Sequence, residues 1–215
     1  MFDKFNGTYN GVRIIAEVKL VSPFGKRLTQ NEWPEQLQLA SMITGVRGMI
    51  SLHTHPLWHG SLQWLGVARK VYPSKKILAK GFHPTDDDVS RALDAGADAV
   101  LVVGRQPKVH ADKCWIEPLT LAELATIPDT CPMAVWNSRD LSSLKHLPGI
   151  PQFLVDRWKE IDHEKEPFAD ARRMYRRKLC QASNVKTVAD IEPGADAVLV
   201  GTHLESFADS LGVRL

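Results

Sequence analysis

Cysteine is scarce: Cys114, Cys131 and Cys180 are the only three in 215 residues, and none has a neighbour at zinc-like spacing. An odd, scattered set excludes a disulfide framework and suits a reducing compartment. No apolar run approaches the roughly 20 residues of a membrane span, and Met1 to Asn10 is polar, without the apolar core of an export signal. An excess of one charge is lacking too. With 27 Lys and Arg against 25 Asp and Glu, the formal net charge of +2 creates no long-range field that would draw a nucleic acid or an anionic membrane. These absences describe a soluble, cytoplasmic protein with neither of those partners.

What is present is a hydrophobic content of 44%, ordinary for a globular core, divided into short apolar runs. Strand candidates are Val12–Leu20, Gly48–Leu52, Lys76–Lys80, Ala99–Val103, Lys113–Glu117, Met133–Trp136, Lys178–Gln181 and Ala197–Gly201. Between the early strands lie apolar residues at helical spacing: Leu39, Met42, Ile43 and Val46; Trp64, Val67, Ala68 and Val71; Val89, Ala92, Leu93 and Gly96. Thr85 and Asp88 form a capping-box pattern, and Gly96 supplies a stop. Alternating β and α predicts parallel strands with right-handed crossovers, and eight of them close into a (β/α)8 TIM barrel spanning residues 1–215 as one domain.

Gly96-Ala97-Asp98-Ala99-Val100-Leu101-Val102 recurs as Gly194-Ala195-Asp196-Ala197-Val198-Leu199-Val200, at the fourth and eighth strand candidates. That placement fits two equivalent half-barrels. Only Arg105 to Asp112 separates the fourth and fifth strands, too little for a crossover helix. The fourth βα unit is therefore shortened, and the barrel is expected to be open or soft there. The long stretch between strands six and seven predicts two helical pieces, Pro151–Trp158 and Pro167–Arg177, kinked around His163 to Glu166. Its basic cluster, Arg172, Arg173, Arg176, Arg177 and Lys178, reads as a solvated face.

Several strand candidates end in polar groups. Glu17 and Lys19 lie two residues apart on one face of the first strand, before the turn signal Ser22-Pro23-Phe24-Gly25. Two charges on so apolar a strand need each other or a ligand, because desolvating an ion costs several kcal/mol. Lys80 ends the third strand, where burial and a nearby Lys19 would lower its pKa and suit it to proton transfer. Glu117 closes the fifth, and Asn137 and Arg139 follow the sixth. All fall on the C-terminal rim, the catalytic face of such barrels. Gln181-Ala182-Ser183-Asn184 and Gly201-Thr202-His203 are small polar turns after strands seven and eight, where barrels often bind phosphate. His53, His55 and His59 crowd one loop but lack metal-like spacing or a carboxylate partner, so no metal is expected.

These residues resemble indole-3-glycerol phosphate synthase, a (β/α)8-barrel lyase of tryptophan biosynthesis. The likeness runs through Ile15-Ala16-Glu17-Val18-Lys19 with Ser22-Pro23, Leu52 to Leu62, Leu78-Ala79-Lys80-Gly81-Phe82, Gly96 to Val103, Ile116-Glu117, Asn137-Ser138-Arg139-Asp140-Leu141 and Ala195 to Gly201. It implies closure of 1-(2-carboxyphenylamino)-1-deoxyribulose 5-phosphate to an indole with loss of carbon dioxide and water, without metal or organic cofactor. By that resemblance Lys80 is the general acid and Glu117 a base or proton shuttle. Lys19 contacts the substrate carboxylate or assists the acid, and Glu17 orients it. Ser22, Phe82, Asn137 and Arg139 bind the small phosphorylated aromatic substrate, and Ser183, Gly201 and Thr202 hold its phosphate. The protein is expected to act as a monomer or weak homo-oligomer.

The sequence also departs from the family. Its seventh-strand Glu-Ser-Gly appears as Ala182-Ser183-Asn184, Gly81 replaces an Asp, Phe24 replaces a Ser, and the N-terminal covering helices are lacking. The alternative is a barrel paralogue that binds a phosphorylated ligand with lost or altered catalysis, as a regulatory or assembly subunit.

Overall fold

The computed structural model describes residues 1–21, 27–29, 31–138, 156 and 168–215. A short antiparallel ribbon, β1 (Phe2–Asp3) and β2 (Thr8–Tyr9), leads into β3 (Val12–Val18). The further strands are β4 (Met49–His53), β5 (Lys76–Lys80), β6 (Ala99–Val103), β7 (Cys114–Glu117), β8 (Ala134–Asn137), β9 (Leu179–Ala182) and β10 (Ala197–Val200). Strands β3 to β10 run parallel to one another, and β3 pairs with both β4 and β10, so the sheet closes into a (β/α)8 barrel. The helices among the described residues are α1 (Trp33–Ile43), α2 (Gln63–Val71), α3 (Asp86–Asp94), α4 (Leu121–Thr126), α5 (Phe168–Met174) and α6 (Leu204–Ser210).

The period of two along each strand sorts side chains between two layers. Ile14, Ala16 and Val18 of β3 face outward, into a core shared with Leu37, Ala40 and Ile43 of α1 and with Leu204, Phe207 and Ala208 of α6. Ile15 faces inward, joining Leu78, Leu101, Trp115, Val135, Cys180 and Leu199 in the barrel interior. Both layers are sealed, and this packed interior forms an apolar floor beneath the C-terminal rim.

The repeated heptapeptide marks a repeated ion-pair network. Asp98 accepts from the Ile77 backbone N–H at 2.8 Å and pairs with Arg69, which also donates to the carbonyls of Pro73, Lys75 and Gly96. Asp196 accepts from the Leu179 N–H at 2.8 Å and pairs with Arg172, which also donates to the carbonyls of Tyr175, Arg177 and Gly194. Each Asp thus ties its strand to the preceding strand and helix, at corresponding places in the two half-barrels. Arg172 and Arg177, which is paired with Asp129, are half-buried and tied into the fold; Arg173, with an exposed pairing to Asp170 on its own helix, Arg176 and Lys178 are exposed and fit the solvated face expected of the cluster.

No α-helix joins β6 to β7, only a 3-10 turn at Ala111–Lys113, as the short connection requires. The expected soft point is not there, however. Strands β6 and β7 stay in register through four residue pairs, whereas β7 and β8 share the single pair Ile116↔Ala134. A second reduced unit lies between β9 and β10, where only the 3-10 turn Val188–Asp190 intervenes.

Helix α1 starts earlier than its apolar period indicates, because Pro34 in its first turn and reciprocal Thr29–Glu32 hydrogen bonds fix the entry. It stops before Val46 at Gly45, whose φ is +64°. In α2 the buried residues are Leu65 and Ala68, leaving Val67 and Val71 exposed. The Thr85–Asp88 capping box forms at α3, and Gly96 follows with φ +111°. Residues Thr8 and Tyr9 pair with the start of β3, so the N-terminal ribbon sits at the end of the barrel opposite the rim. Of the two helical pieces expected after β8, Phe168–Met174 falls within the second; most of the first and the kink lie outside the described residues.

Candidate active site

The inward-facing residues of the strand ends form a ring around a cavity of about 860 Å3, a volume that includes its solvent-open mouth. Continuing the inward faces upward brings Glu17, His53, Lys80, Glu117, Asn137, Ala182 and Gly201 together as lining residues. Leu101, Val103 and Leu199 line it below, and Trp58 and Phe82 wall it on the side of the loops after β4 and β5.

Glu17 lies at the centre of the charges. Its carboxylate accepts from Lys19 Nζ at 2.7 Å through Oε2 and faces Lys80 Nζ at 3.4 Å through Oε1, with only 2% of its side chain exposed. Burial alone would raise its pKa, but the Lys19 and Lys80 charges outweigh that and hold it below the ordinary carboxylate range. The two lysines expected to act on one another are therefore bridged by a shared carboxylate. Gly201 is part of this arrangement, since a Cβ there would lie 2.8 Å from Lys19 Nζ and closer still to Glu17 Oε2.

Across the mouth Glu117, 2% exposed, accepts from Asn137 Nδ2 at 2.9 Å. Both are buried at the tips of adjacent strands, which orients the carboxylate toward the cavity. Ala182, the next inward residue on the rim, is 2% exposed and contributes only a methyl group. The turn that follows runs through two left-handed residues, Ser183 (φ 68°) and Asn184 (φ 60°). Asn tolerates that conformation better than other non-glycine residues, so this turn is built without a Gly. Ser138 secures it by donating its N–H and Oγ to the Ala182 carbonyl at 3.1 and 3.2 Å. Ser183, Gly201 and Thr202 line the mouth here, together with His203.

Phe82 also lines the cavity, stacked edge-on against His55 at 4.7 Å and Trp58 at 5.4 Å. The replacement at Gly81 is accommodated by its neighbours. A Cβ there would lie 2.7 Å from Thr54 Oγ1, which accompanies His83 Nε2 at 3.2 Å and donates to the Lys80 carbonyl at 3.0 Å. Ser22, Phe24 and Arg139 lie outside the described residues.

Sequence reasoning missed His53 as a rim residue. Met49, Ser51 and His53 alternate along β4, and His53 stands level with Lys80 across the β4–β5 ladder. The same period of two that selected Glu17 and Lys19 selects it. Burial, with smaller contributions from Lys80 and Lys19, keeps its ring neutral well below the usual histidine range despite the opposing pull of Glu17. Among the described residues no cluster of His, Cys, Asp and Glu is arranged to hold a metal ion.

No family model matches the chain. A curated indole-3-glycerol phosphate synthase from Pyrobaculum arsenaticum (strain DSM 13514 / JCM 11321 / PZ6) is 29% identical over 150 residues, 61% of this chain. The match takes in 57% of that relative's length. Among solved structures, a 3-hexulose-6-phosphate synthase superposes with a TM-score of 0.59 at 16% identity, covering 94% of this chain and 96% of the other. The Salmonella typhimurium enzyme of the same name gives 0.58 at 18%, with 94% of each chain covered. A mutant tryptophan synthase alpha-subunit from Pyrococcus furiosus gives 0.58 at 14%, covering 94% and 98%. At such identities these structures establish the fold, a (β/α)8 barrel.

Proposed function

We propose that this protein closes 1-(2-carboxyphenylamino)-1-deoxyribulose 5-phosphate to indole-3-glycerol phosphate, releasing carbon dioxide and water. The observation that carries the reading is the Lys19–Glu17–Lys80 chain facing the Glu117–Asn137 pair across one apolar-floored mouth. The name of the curated relative supports it.

The chemistry needs a proton for the ketone oxygen as the carboxylate-bearing ring carbon attacks the carbonyl carbon. Lys80, half-buried at the rim and aimed by Glu17, supplies it from Nζ. Carbon dioxide then leaves, and its bonding electrons restore the aromatic ring. Dehydration follows: the new hydroxyl departs as water with a proton from the lysine pair, while Glu117 takes the proton from the adjacent carbon. Asn137 orients Glu117 and meets the substrate, and Lys19 supplies positive charge to the carboxylate before it leaves. The ring lies against Phe82 and Trp58, while Ser183, Gly201 and Thr202 take the phosphate. Ser22 and Arg139 complete the proposed substrate contacts.

Purified protein supplied with this substrate should form the indole product, followed by its absorbance. A folded protein that makes none sinks the reading. The second reading, a barrel that binds or acts on another phosphorylated sugar, is favoured by one observation, the Ala182 methyl where the resembling family has a carboxylate. Phosphosugar names among the structural neighbours are in keeping with it.

A further inference from the structure

We propose that His53 is a specificity-determining residue that donates an uncharged hydrogen bond from Nε2 to the carboxylate on the substrate's aromatic ring. The proposal rests on the reaction assigned above and adds a contact that neither the resemblance nor the comparisons assign.

The geometry fixes which nitrogen is available. His53 is 7% exposed at the inward tip of β4, and its Nδ1 accepts the His55 backbone N–H at 3.3 Å. An accepting Nδ1 places the proton of a neutral ring on Nε2. Contact with Trp58, 4.8 Å between centroids at 44°, holds the ring against rotation. Nε2 has no hydrogen-bond partner among the described residues, yet it is not one of the sealed, partnerless atoms, and His53 lines the cavity. A donor so placed is aimed at something that enters from the mouth.

Position selects the acceptor. The proposed phosphate turns follow β9 and β10, whereas His53 and Lys80 tip β4 and β5, and the apolar wall of Trp58, Phe82 and Val103 adjoins them. A ligand anchored by its phosphate lays its aromatic ring on that wall, which brings the ring's carboxylate to His53. The groups facing His53 are Glu17, Lys80, Lys19 and His55. A neutral N–H orients the carboxylate beside Lys19 without adding a second positive charge that would hold it further in its ground state.

The test compares two probes by calorimetry: 1-(2-carboxyphenylamino)-1-deoxyribitol 5-phosphate, and the same compound without the ring carboxylate. His53→Leu should weaken the first roughly 10- to 100-fold and the second by less than about threefold, with His53→Gln recovering most of the loss. Circular dichroism checks that both variants are folded. The wild-type preference for the carboxylated probe should stay flat between about pH 6 and pH 8, because the ring remains neutral. Equal loss for both probes, no loss, or a preference rising steeply as pH falls overturns the role of His53 alone. A wild type that binds neither probe overturns the reaction assignment and this contact together.

Discussion

Gly201→Ala adds one methyl group and tests whether the rim works as a single packed unit. The backbone at Gly201 is not left-handed, so alanine itself fits without strain. By restricting the unfolded chain it should stabilise by about 0.4–1 kcal/mol. Against this, the new Cβ would lie 2.8 Å from Lys19 Nζ and nearer still to Glu17 Oε2, and Glu17, 2% exposed, has no solvent to retreat into. Separating the 2.7 Å Lys19–Glu17 bond forfeits a charge-assisted hydrogen bond, roughly 1.5–3 kcal/mol. The net expectation is a loss of about 1–2 kcal/mol, a shift of roughly 0.5–1 M in the urea midpoint. Activity should fall by at least about tenfold, since Lys80 is positioned by the same carboxylate. In a Glu17→Ala background the nearer obstacle is gone and only the flexible end of Lys19, released from its partner, stands close, so Gly201→Ala should become neutral or stabilising, a coupling of at least about 1 kcal/mol. Equal costs in the two backgrounds would refute the reasoning.

Lys80→Met should lower indole formation by roughly 10²–10⁴-fold with little change in melting temperature, and wild-type turnover would remove Lys80 from the mechanism. Inorganic phosphate should raise the melting temperature by mass action, by up to about 2.7 kcal/mol at a hundredfold excess over Kd. No shift at saturation would remove the phosphate role of the Ser183 and Thr202 turns. Lys75, at the opposite end of the barrel, donates Nζ to the Ser41 carbonyl at 2.6 Å and to Thr44 Oγ1 at 3.1 Å, yet burial pushes its pKa down from 10.5 to about 8. In that window the unfolded chain keeps a proton the folded one gives up, so stability should climb with pH, and Lys75→Met should flatten the climb. Urea midpoints that change in parallel for the two proteins between about pH 7.5 and pH 10 would contradict this.

The eight barrel strands were legible because each is a short apolar run with one sealed face on either side, a pattern that survives without knowledge of partners. Helices were less so. The apolar period missed the first turn of α1, fixed by Pro34 and by polar bonds between Thr29 and Glu32. It misplaced the face of α2, because Arg69 on that helix is spent on Asp98 and Trp64 stacks on Trp33 at 4.7 Å. It passed over α4, whose Thr120 cap accepts from the Glu123 N–H at 3.2 Å, a sequence signature in plain view. Of the site, charged strand ends announced themselves. His53 did not, because three histidines in one loop invited a question about metal rather than about which of them shares the inward face with Lys80.

Ala182 is where sequence and geometry bear hardest on function. The rim carries Lys19 and Lys80 against Glu17 and Glu117, with a neutral His53 between, so these groups balance. A third carboxylate at position 182 would give them a net negative charge that an anionic substrate must approach. In the proposed reaction alanine relieves that repulsion but would leave dehydration to Glu117 alone. Restoring the carboxylate should therefore act in opposite senses on two constants. Ala182→Glu adds a proton-transfer group worth about 1.4 kcal/mol, or about tenfold in kcat, if it couples to a lysine by one pKa unit. The same substitution should raise KM, because it opposes the substrate in the ground state as well. Turnover and substrate titrations on both proteins separate the two constants. A fall in kcat would show a site reorganised around the methyl group, and a rise in kcat without any rise in KM would show that the charge balance is not what alanine provides.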